Sequence, residues 1–299
     1  MPTLENEMLR VAVADHGAEL TSVYDKEKQQ EDLWQADPVY WNRHAPILFP
    51  FVGKVNGGQY RYRGKEYAMG QHGFARDRDF TLVSATEDTI TYVLTEDETS
   101  RAVYPFAFRL TVTYVLSGRD LNVQWTVENP SDTEPLYFSI GGHPAFSWPA
   151  ATAPDKNAYM VRFTDAKGNG LTELSYVLID PASEAVDAAH PLELPLEDGF
   201  LALTPDRFDQ DALIFDGAQF ATATLCYPDR TPYVTMHCEK FPSFGLWSKP
   251  KADAPYVCLE PWLGRCDNKG FDGELPEKYG EQCLVPGARF FTDFTLQFS

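Results

Sequence analysis

An all-β fold of many antiparallel strands is what this 299-residue sequence predicts, and three observations predict it. Apolar side chains recur on alternate positions over long runs, the period of a half-buried strand. Glycine-containing turns separate several of those runs at hairpin spacing. No segment carries the 3.6-residue apolar period of a long amphipathic helix. Apolar residues at 43% and aromatics at 14% are ample for a sizeable core. With no repeat, low-complexity tract or charge-run linker, the chain reads as one domain over 1–299.

Taken in order, Leu9–Ala14 and Ala18–Tyr24 alternate around a His16-Gly17 turn, an N-terminal hairpin. Asp37-Pro38 offers a helix start with Asp as cap, though only one or two turns fit before His44-Ala45-Pro46. Ile47–Gly53 is apolar, and its prolines argue for a buried loop rather than a central strand. A second hairpin flanks Arg63-Gly64-Lys65, and Gln71–Asp77 follows neither period. From Phe80 to Asn129 the chain reads as a meander. Phe106, Phe108, Leu110, Val112, Tyr114 and Leu116 share one strand face, and Leu121, Val123, Trp125 and Val127 share the face of the return.

Leu136–Ile140 alternates until Gly141-Gly142 breaks it. Ser147 to Gly170, rich in Pro, Ala, Asp and Asn, reads as a long excursion loop. Further strands are predicted at Leu174–Ile179, Phe200–Leu203, Ala221–Cys226, Tyr233–Cys238, Gly245–Ser248, Tyr256–Leu259 and Phe290–Phe298, with a short helix capped by Thr204-Pro205. Runs this long and regular suit a large sandwich.

The formal net charge of −19 argues against nucleic acid or an anionic membrane as a partner, since both attract a positive surface. The N-terminus is acidic where a secretory signal needs positive charge, and no uncharged stretch is long enough to span a bilayer. Five cysteines, odd in number and without a CxxC, fit neither a disulfide framework nor a zinc site. They read as buried structural thiols in a cytoplasmic protein.

Chemistry gathers at a few positions. His143 stands between Gly141-Gly142 and Pro144, an imidazole aimed by its backbone or an ordinary histidine at a strand-end turn. Glu260 ends the apolar Val257-Cys258-Leu259 and is walled by Trp262. Desolvation there would raise its pKa toward that of a neutral-pH base; a strand-end glutamate facing water is the alternative. His72 and Arg76 lie in one loop and Arg43-His44 comes earlier, side chains that suit a hydroxyl- or phosphate-rich ligand or else hold structure. His72, His143, Glu260 and Asp267 match no standard metal-ligand spacing, so no metal is expected. Neither a phosphate-cradling glycine loop nor a nucleophile elbow is present.

Together these pieces resemble the aldose 1-epimerase (galactose mutarotase) family, and within it the LacX-like branch, over nearly the whole chain. The resemblance rests on Arg43-His44-Ala45-Pro46, on Gln71-His72-Gly73-Phe74-Ala75-Arg76, on Gly141-Gly142-His143-Pro144 and on Leu259-Glu260-Pro261-Trp262. It implies a large antiparallel β-supersandwich with a cleft across one sheet, and cofactor-free interconversion of the α and β anomers of a hexopyranose. By motif position it makes His143 the general acid and Glu260 the general base. His72, Arg43, Arg76 and Asp211 become ligands of the sugar, with Asp209 competing for the place of Asp211. The implied partner is a small-molecule sugar, and the chain a monomer or homodimer. The Glu-Pro-Trp continuation departs from the usual galactose mutarotase pattern and leaves the sugar, or a hexose 6-phosphate, open. The rivals are a noncatalytic carbohydrate-binding sandwich and a glycoside hydrolase, which would need a second carboxylate.

Overall fold

The computed structural model describes residues 1–148 and 159–299. Its strands build a nine-stranded sheet, a six-stranded sheet and a four-stranded N-terminal sheet, with several two-stranded ribbons beside them. Every strand pairing is antiparallel in the two larger sheets. At the centre of the nine-stranded sheet lies the predicted meander. Arg109–Ser117 pairs with Asp120–Glu128 so that Leu110 faces Val127, Val112 faces Trp125 and Tyr114 faces Val123. These alternate residues are buried, and the sheet's other face is more open to water. Arg289–Phe298 and Pro232–His237 extend the sheet on one side, and Thr89–Thr95 and Thr81–Ala85 on the other.

The six-stranded sheet carries Tyr256–Leu263 at its centre, flanked by Ser243–Trp247 and by Ile140–Gly142, with Ile47–Leu48 and Leu213–Asp216 at its edges. Both faces of Tyr256–Leu263 are covered, and all eight of its residues are buried. Its Val257, Leu259 and Leu263 join the main core, while Tyr256, Cys258 and Trp262 belong to separate clusters. Because strand side chains alternate, Glu260 shares the second face. The two large sheets approach where Gly142 lies against Trp125 and Phe294: an added Cβ there would stand 3.4 Å from both rings.

Several expectations need correction. Gly141-Gly142 does not break the strand predicted over Leu136–Ile140: the break falls at Ser139, and both glycines are paired as the last residues of Ile140–Gly142, because the Trp262 indole crosses the sheet where only glycine fits. A Cβ at Gly141 would come within 2.6 Å of that ring, and one at Gly245, on the opposite neighbour, within 2.4 Å. Ile47–Leu48 is an edge strand rather than loop, its two hydrogen-bonding residues preceding the proline. Glu260 is not at a strand end, since Tyr256–Leu263 runs through Pro261. A six-residue helix, Glu98–Val103, interrupts the meander. Its capping box was readable: the Asp97 carboxylate accepts from the Ser100 N–H, and the Ser100 hydroxyl accepts from the Asp97 N–H. Phe106 and Phe108 are buried but precede the strand that begins at Arg109. Asp37-Pro38 starts only a single turn, closed by the Trp41 N–H on the Asp37 carbonyl. Of the expected excursion, 149–158 lies outside the described residues, and Met160–Thr164 is a strand of the large sheet. Four cysteines are buried free thiols, but Cys283 is exposed on a two-stranded ribbon. No helix among the described residues is long and apolar enough to cross a membrane.

Candidate active site

A gap in the sheet ladder sets the two central side chains face to face. Along Tyr256–Leu263, Gly141 pairs with Trp262 and Ala145 pairs with Cys258. Between those pairings the neighbouring chain passes through His143-Pro144, opposite Glu260-Pro261. Neither proline has an N–H to give to a ladder, so regular pairing lapses there and the Leu259 N–H reaches the Pro144 carbonyl at 3.2 Å. The His143 N–H is instead taken by the Pro46 carbonyl and the Ala145 N–H by that of His44. In the gap, His143 Nε2 lies 3.2 Å from Glu260 Oε2.

Both groups are buried, Glu260 to 1% and His143 to 7% exposure. Glu260 Oε2 and His143 Nδ1 have no hydrogen-bond partner among the described residues. Each buried orphan costs about 1–3 kcal/mol of stability. Burial pushes the Glu260 carboxyl well above the usual range, the Asp211 charge adds to this, and the Trp262 indole opposes it slightly. Burial also holds His143 down at about 3, with Arg76 and Arg43 adding repulsion. Both shifts favour the uncharged form of the group, a protonated carboxyl beside a neutral imidazole. The raised pKa anticipated for Glu260 is present, caused by burial in a strand interior.

Above the pair opens a cleft of about 540 Å³, lined by His143, Glu260, His72, Arg76, Asp209 and Asp211 among others. His72 sits at a φ of +66°, unusual for a side chain of its size. Its backbone donates to the Gly53 carbonyl at 2.8 Å, and its Nδ1 accepts the Gly53 N–H at 3.0 Å. Burial, and then repulsion from His143, keeps the ring neutral. With Nδ1 accepting, the ring proton is on Nε2, so His72 offers the cleft a donor. Arg76 gives one nitrogen to the Gln71 carbonyl at 2.8 Å. Its Nε is buried without a hydrogen-bond partner among the described residues, and burial lowers its pKa to about 10.

Arg43 is not brought to the cleft lining; its guanidinium is held by Asp77 at 2.7 Å. Asp209 and Asp211 both reach the lining, and it is the Asp211 charge that bears on Glu260. His44 is half-buried, its N–H donating to Glu19 at 2.7 Å, a structural arrangement. Asp267 lies away from the cleft, bound to the Asn56 N–H and paired with Lys278, so the four-residue metal set considered from sequence is not assembled.

Three contributors went unforeseen. Trp41 stacks on the His143 ring at 4.7 Å and 29°, and Trp247 meets the same ring edge-on at 5.5 Å. Cys258 is close beneath, its sulfur within 4.8 Å of ligand atoms of both His143 and Glu260. The two tryptophans carry no spacing signal, but Cys258 stands two residues before Glu260 on one strand, where side chains share a face.

Comparison with known proteins agrees with this architecture. A family model described as aldose 1-epimerase matches residues 2–261. The plasmid-encoded protein LacX of Lactococcus lactis subsp. lactis is 30% identical over 266 residues, covering 87% of each chain. The solved structure of a galactose mutarotase related enzyme from Lactobacillus acidophilus superposes with a TM-score of 0.91 at 36% identity, covering 99% of this chain and 96% of that one. A galactose mutarotase-like protein from Lactobacillus casei gives a TM-score of 0.90 at 31% identity, with full coverage of both chains.

Proposed function

The chain belongs to the aldose 1-epimerase family, and from that premise we propose that it interconverts the α and β anomers of a hexopyranose, with Glu260 as general base and His143 as general acid. The observation that carries the reading is the buried His143–Glu260 pair, 3.2 Å apart at the floor of a cleft. Ring opening takes a proton from the C1 hydroxyl and gives one to the ring oxygen. Both oxygens are bonded to C1, so they are close neighbours on one edge of the sugar. A pair this close is too narrow to sandwich a ring but suits that edge.

The proton inventory fits as well. Sugar hydroxyls donating to Glu260 favour its ionised form, and the proton then crosses to His143. Carboxylate and imidazolium act together: Glu260 takes the C1 hydroxyl proton, His143 protonates the ring oxygen, and the C1–O5 bond breaks. Rotation about C1–C2 presents the other carbonyl face, and the same steps run in reverse. His72 as a donor, Arg76 and Asp211 would bind hydroxyls, while Trp41 fixes the His143 ring. Arg43 is proposed as a support held through Asp77. The chemistry as proposed draws on side chains alone, and four buried free thiols favour a reducing cytoplasm.

A neutral aldose is favoured over a hexose 6-phosphate. The lining cations Lys54, Arg76 and Lys251 are met by Glu184, Asp209 and Asp211, and Lys54 already pairs with Glu184 at 2.9 Å. That is not a phosphate-attracting surface. Anomer exchange followed by NMR with glucose, galactose and glucose 6-phosphate tests the proposal. Acceleration with a neutral aldose, lost in Glu260→Gln, is expected. Sugar-induced shifts in protein resonances without acceleration would make the protein a carbohydrate-binding sandwich instead.

A further inference from the structure

The floor of the cleft brings together three side chains whose chemistry is that of a soft-metal site. His143, Cys258 and Glu260 each present one ligand atom, all within 4.8 Å of one another, and all three residues are buried. The His143–Glu260 edge is already 3.2 Å. In a tetrahedral zinc site, with bonds of about 2.0–2.3 Å, neighbouring ligand atoms stand roughly 3.3–3.8 Å apart. Closing the triangle needs the thiol to move by at most roughly 1.0–1.5 Å, within the reach of side-chain torsions. Independently of the thiol, Glu260 Oε2 is a buried oxygen whose approach to His143 Nε2 lacks hydrogen-bond alignment and which has no hydrogen-bond partner among the described residues, as an unfilled ligand position would be.

From this we infer that the cleft floor binds one soft divalent cation, Zn²⁺ or Cd²⁺, through His143 Nε2, Cys258 Sγ and a Glu260 oxygen, and that occupancy blocks the cleft. A nitrogen, sulfur and oxygen set selects such ions over Mg²⁺ or Ca²⁺, which demand oxygen donors. On coordination the Cys258 S–H and Glu260 O–H bonds break, both protons pass to solvent, and the freed sulfur and oxygen pairs form metal bonds beside the His143 Nε2 lone pair. The fourth position faces the cleft, where a sugar would lie. Resident sites tie the far nitrogen of a ligating histidine to a carboxylate or carbonyl. His143 Nδ1 lacks such a partner among the described residues. The site is therefore one of reversible inhibition, not of a permanent cofactor.

Binding is tested without reference to turnover. Titration of the purified protein with CdCl₂ should raise a cadmium–thiolate ultraviolet band that saturates at one equivalent. The band should survive Cys283→Ser, which removes the exposed thiol, and vanish in Cys258→Ser. Glu260→Gln, which keeps the side chain's shape, should weaken binding by about tenfold or more and serves if the cysteine variant does not fold. No band, or a band undiminished in Cys258→Ser, would overturn the site. That occupancy blocks turnover rests on the proposed anomerase activity. There ZnCl₂ should inhibit, EDTA should restore the rate, and Cys258→Ser, measured against its own metal-free rate, should need about 100-fold more Zn²⁺. Equal Zn²⁺ sensitivity in that variant would overturn the inhibition. If no aldose is turned over but the cadmium band behaves as expected, the metal site stands and the anomerase reading falls.

Discussion

Two buried polar clusters hang from one stretch of chain and are treated oppositely by it. At the centre of Tyr256–Leu263, Glu260 Oε2 stands 3.2 Å from His143 Nε2 without hydrogen-bond alignment, and that oxygen has no other hydrogen-bond partner among the described residues. A few residues on, Arg265 is just as buried at 1% exposure, yet its partners surround it. Its Nε bonds both Asp216 oxygens at 3.1 and 2.9 Å, and its Nη1 bonds the Cys266 carbonyl and the Asn268 side chain. The Tyr279 ring lies 4.0 Å from the guanidinium carbon. Lys278 is buried beside it, bonded to the Arg265 carbonyl and 3.4 Å from Asp267 Oδ1, an oxygen without a hydrogen-bond partner among the described residues but next to a full positive charge. A satisfied charge holds structure; an orphaned one over an open cleft is available to something that arrives. Burial alone would not have told the two apart.

Replacement of Glu260 should separate chemistry from stability most sharply. Glu260→Gln keeps the shape and removes the titratable oxygen. Anomer exchange is expected to fall by about 10²–10⁴-fold, the usual scale for an acid–base group, while the melting temperature holds or rises. A variant that melted lower and kept its rate per folded molecule would reverse the assignment of the two clusters. The opposite split is expected of Arg265→Met. Asp216 loses its main partner but keeps the Ser243 hydroxyl at 2.7 Å. The loss should be about 3 kcal/mol, the low end for breaking a buried pair. Thermal unfolding reads that loss, and turnover per folded molecule should stay within about twofold, because Arg265 touches neither His143 nor Glu260.

The meander, the hairpins and the closing strand were legible because one wet face and one dry face write a period of two into the sequence. Tyr256–Leu263 was cut short at Leu259 because both its faces are covered, so alternation disappears and Pro261 reads as a stop. Gly141-Gly142 misled for a related reason. The glycines make room for Trp262, a contact made across the sheet that no local pattern records. Within the cleft, His143, Glu260 and His72 could be named from motifs, since glycine and proline mark where a backbone is bent to aim a side chain. Arg43 could not be separated from Arg76, because the capture of its guanidinium by Asp77 depends on tertiary placement. Trp41 is contributed by a turn far from the strands it covers, and nothing in its neighbours announces that.

The proton shared by His143 and Glu260 gives a pH profile of predictable sign. A second proton disables the base, and that happens only near the depressed value of His143, about 3. Loss of the shared proton disables the acid, and the raised Glu260 defers that to higher pH. The kcat/KM for anomer exchange, corrected for the spontaneous reaction, should therefore stay level as pH falls through 6.5. Its two limbs belong to the pair and not to either residue alone. A limb centred near 6.5 would mean that the imidazole titrates as if exposed, and the single-proton description would be abandoned.

The smallest effect is expected at Glu281, which lies in the satisfied cluster but resembles Glu260 in one respect. Its Oε2 accepts the Ser139 hydroxyl at 2.7 Å, while Oε1 has no hydrogen-bond partner among the described residues. Burial raises its pKa from 4.5 to about 8, against the opposing pull of Lys278. The folded state thus keeps a proton that the unfolded chain releases above 4.5. Its contribution to stability is full below 4.5 and is lost as pH rises through 8. Glu281→Gln supplies a permanently neutral group of the same shape, so its melting temperature should match the native protein near pH 5. By pH 9 the variant should melt higher by about 2 °C or more, the shift that one kcal/mol gives in a chain of this size. A difference that stays constant from pH 5 to 9 would mean that Glu281 is ionised in the fold, with Lys278 as its counter-ion. The satisfied cluster would then be held by charge throughout, and the contrast with the cleft would sharpen further.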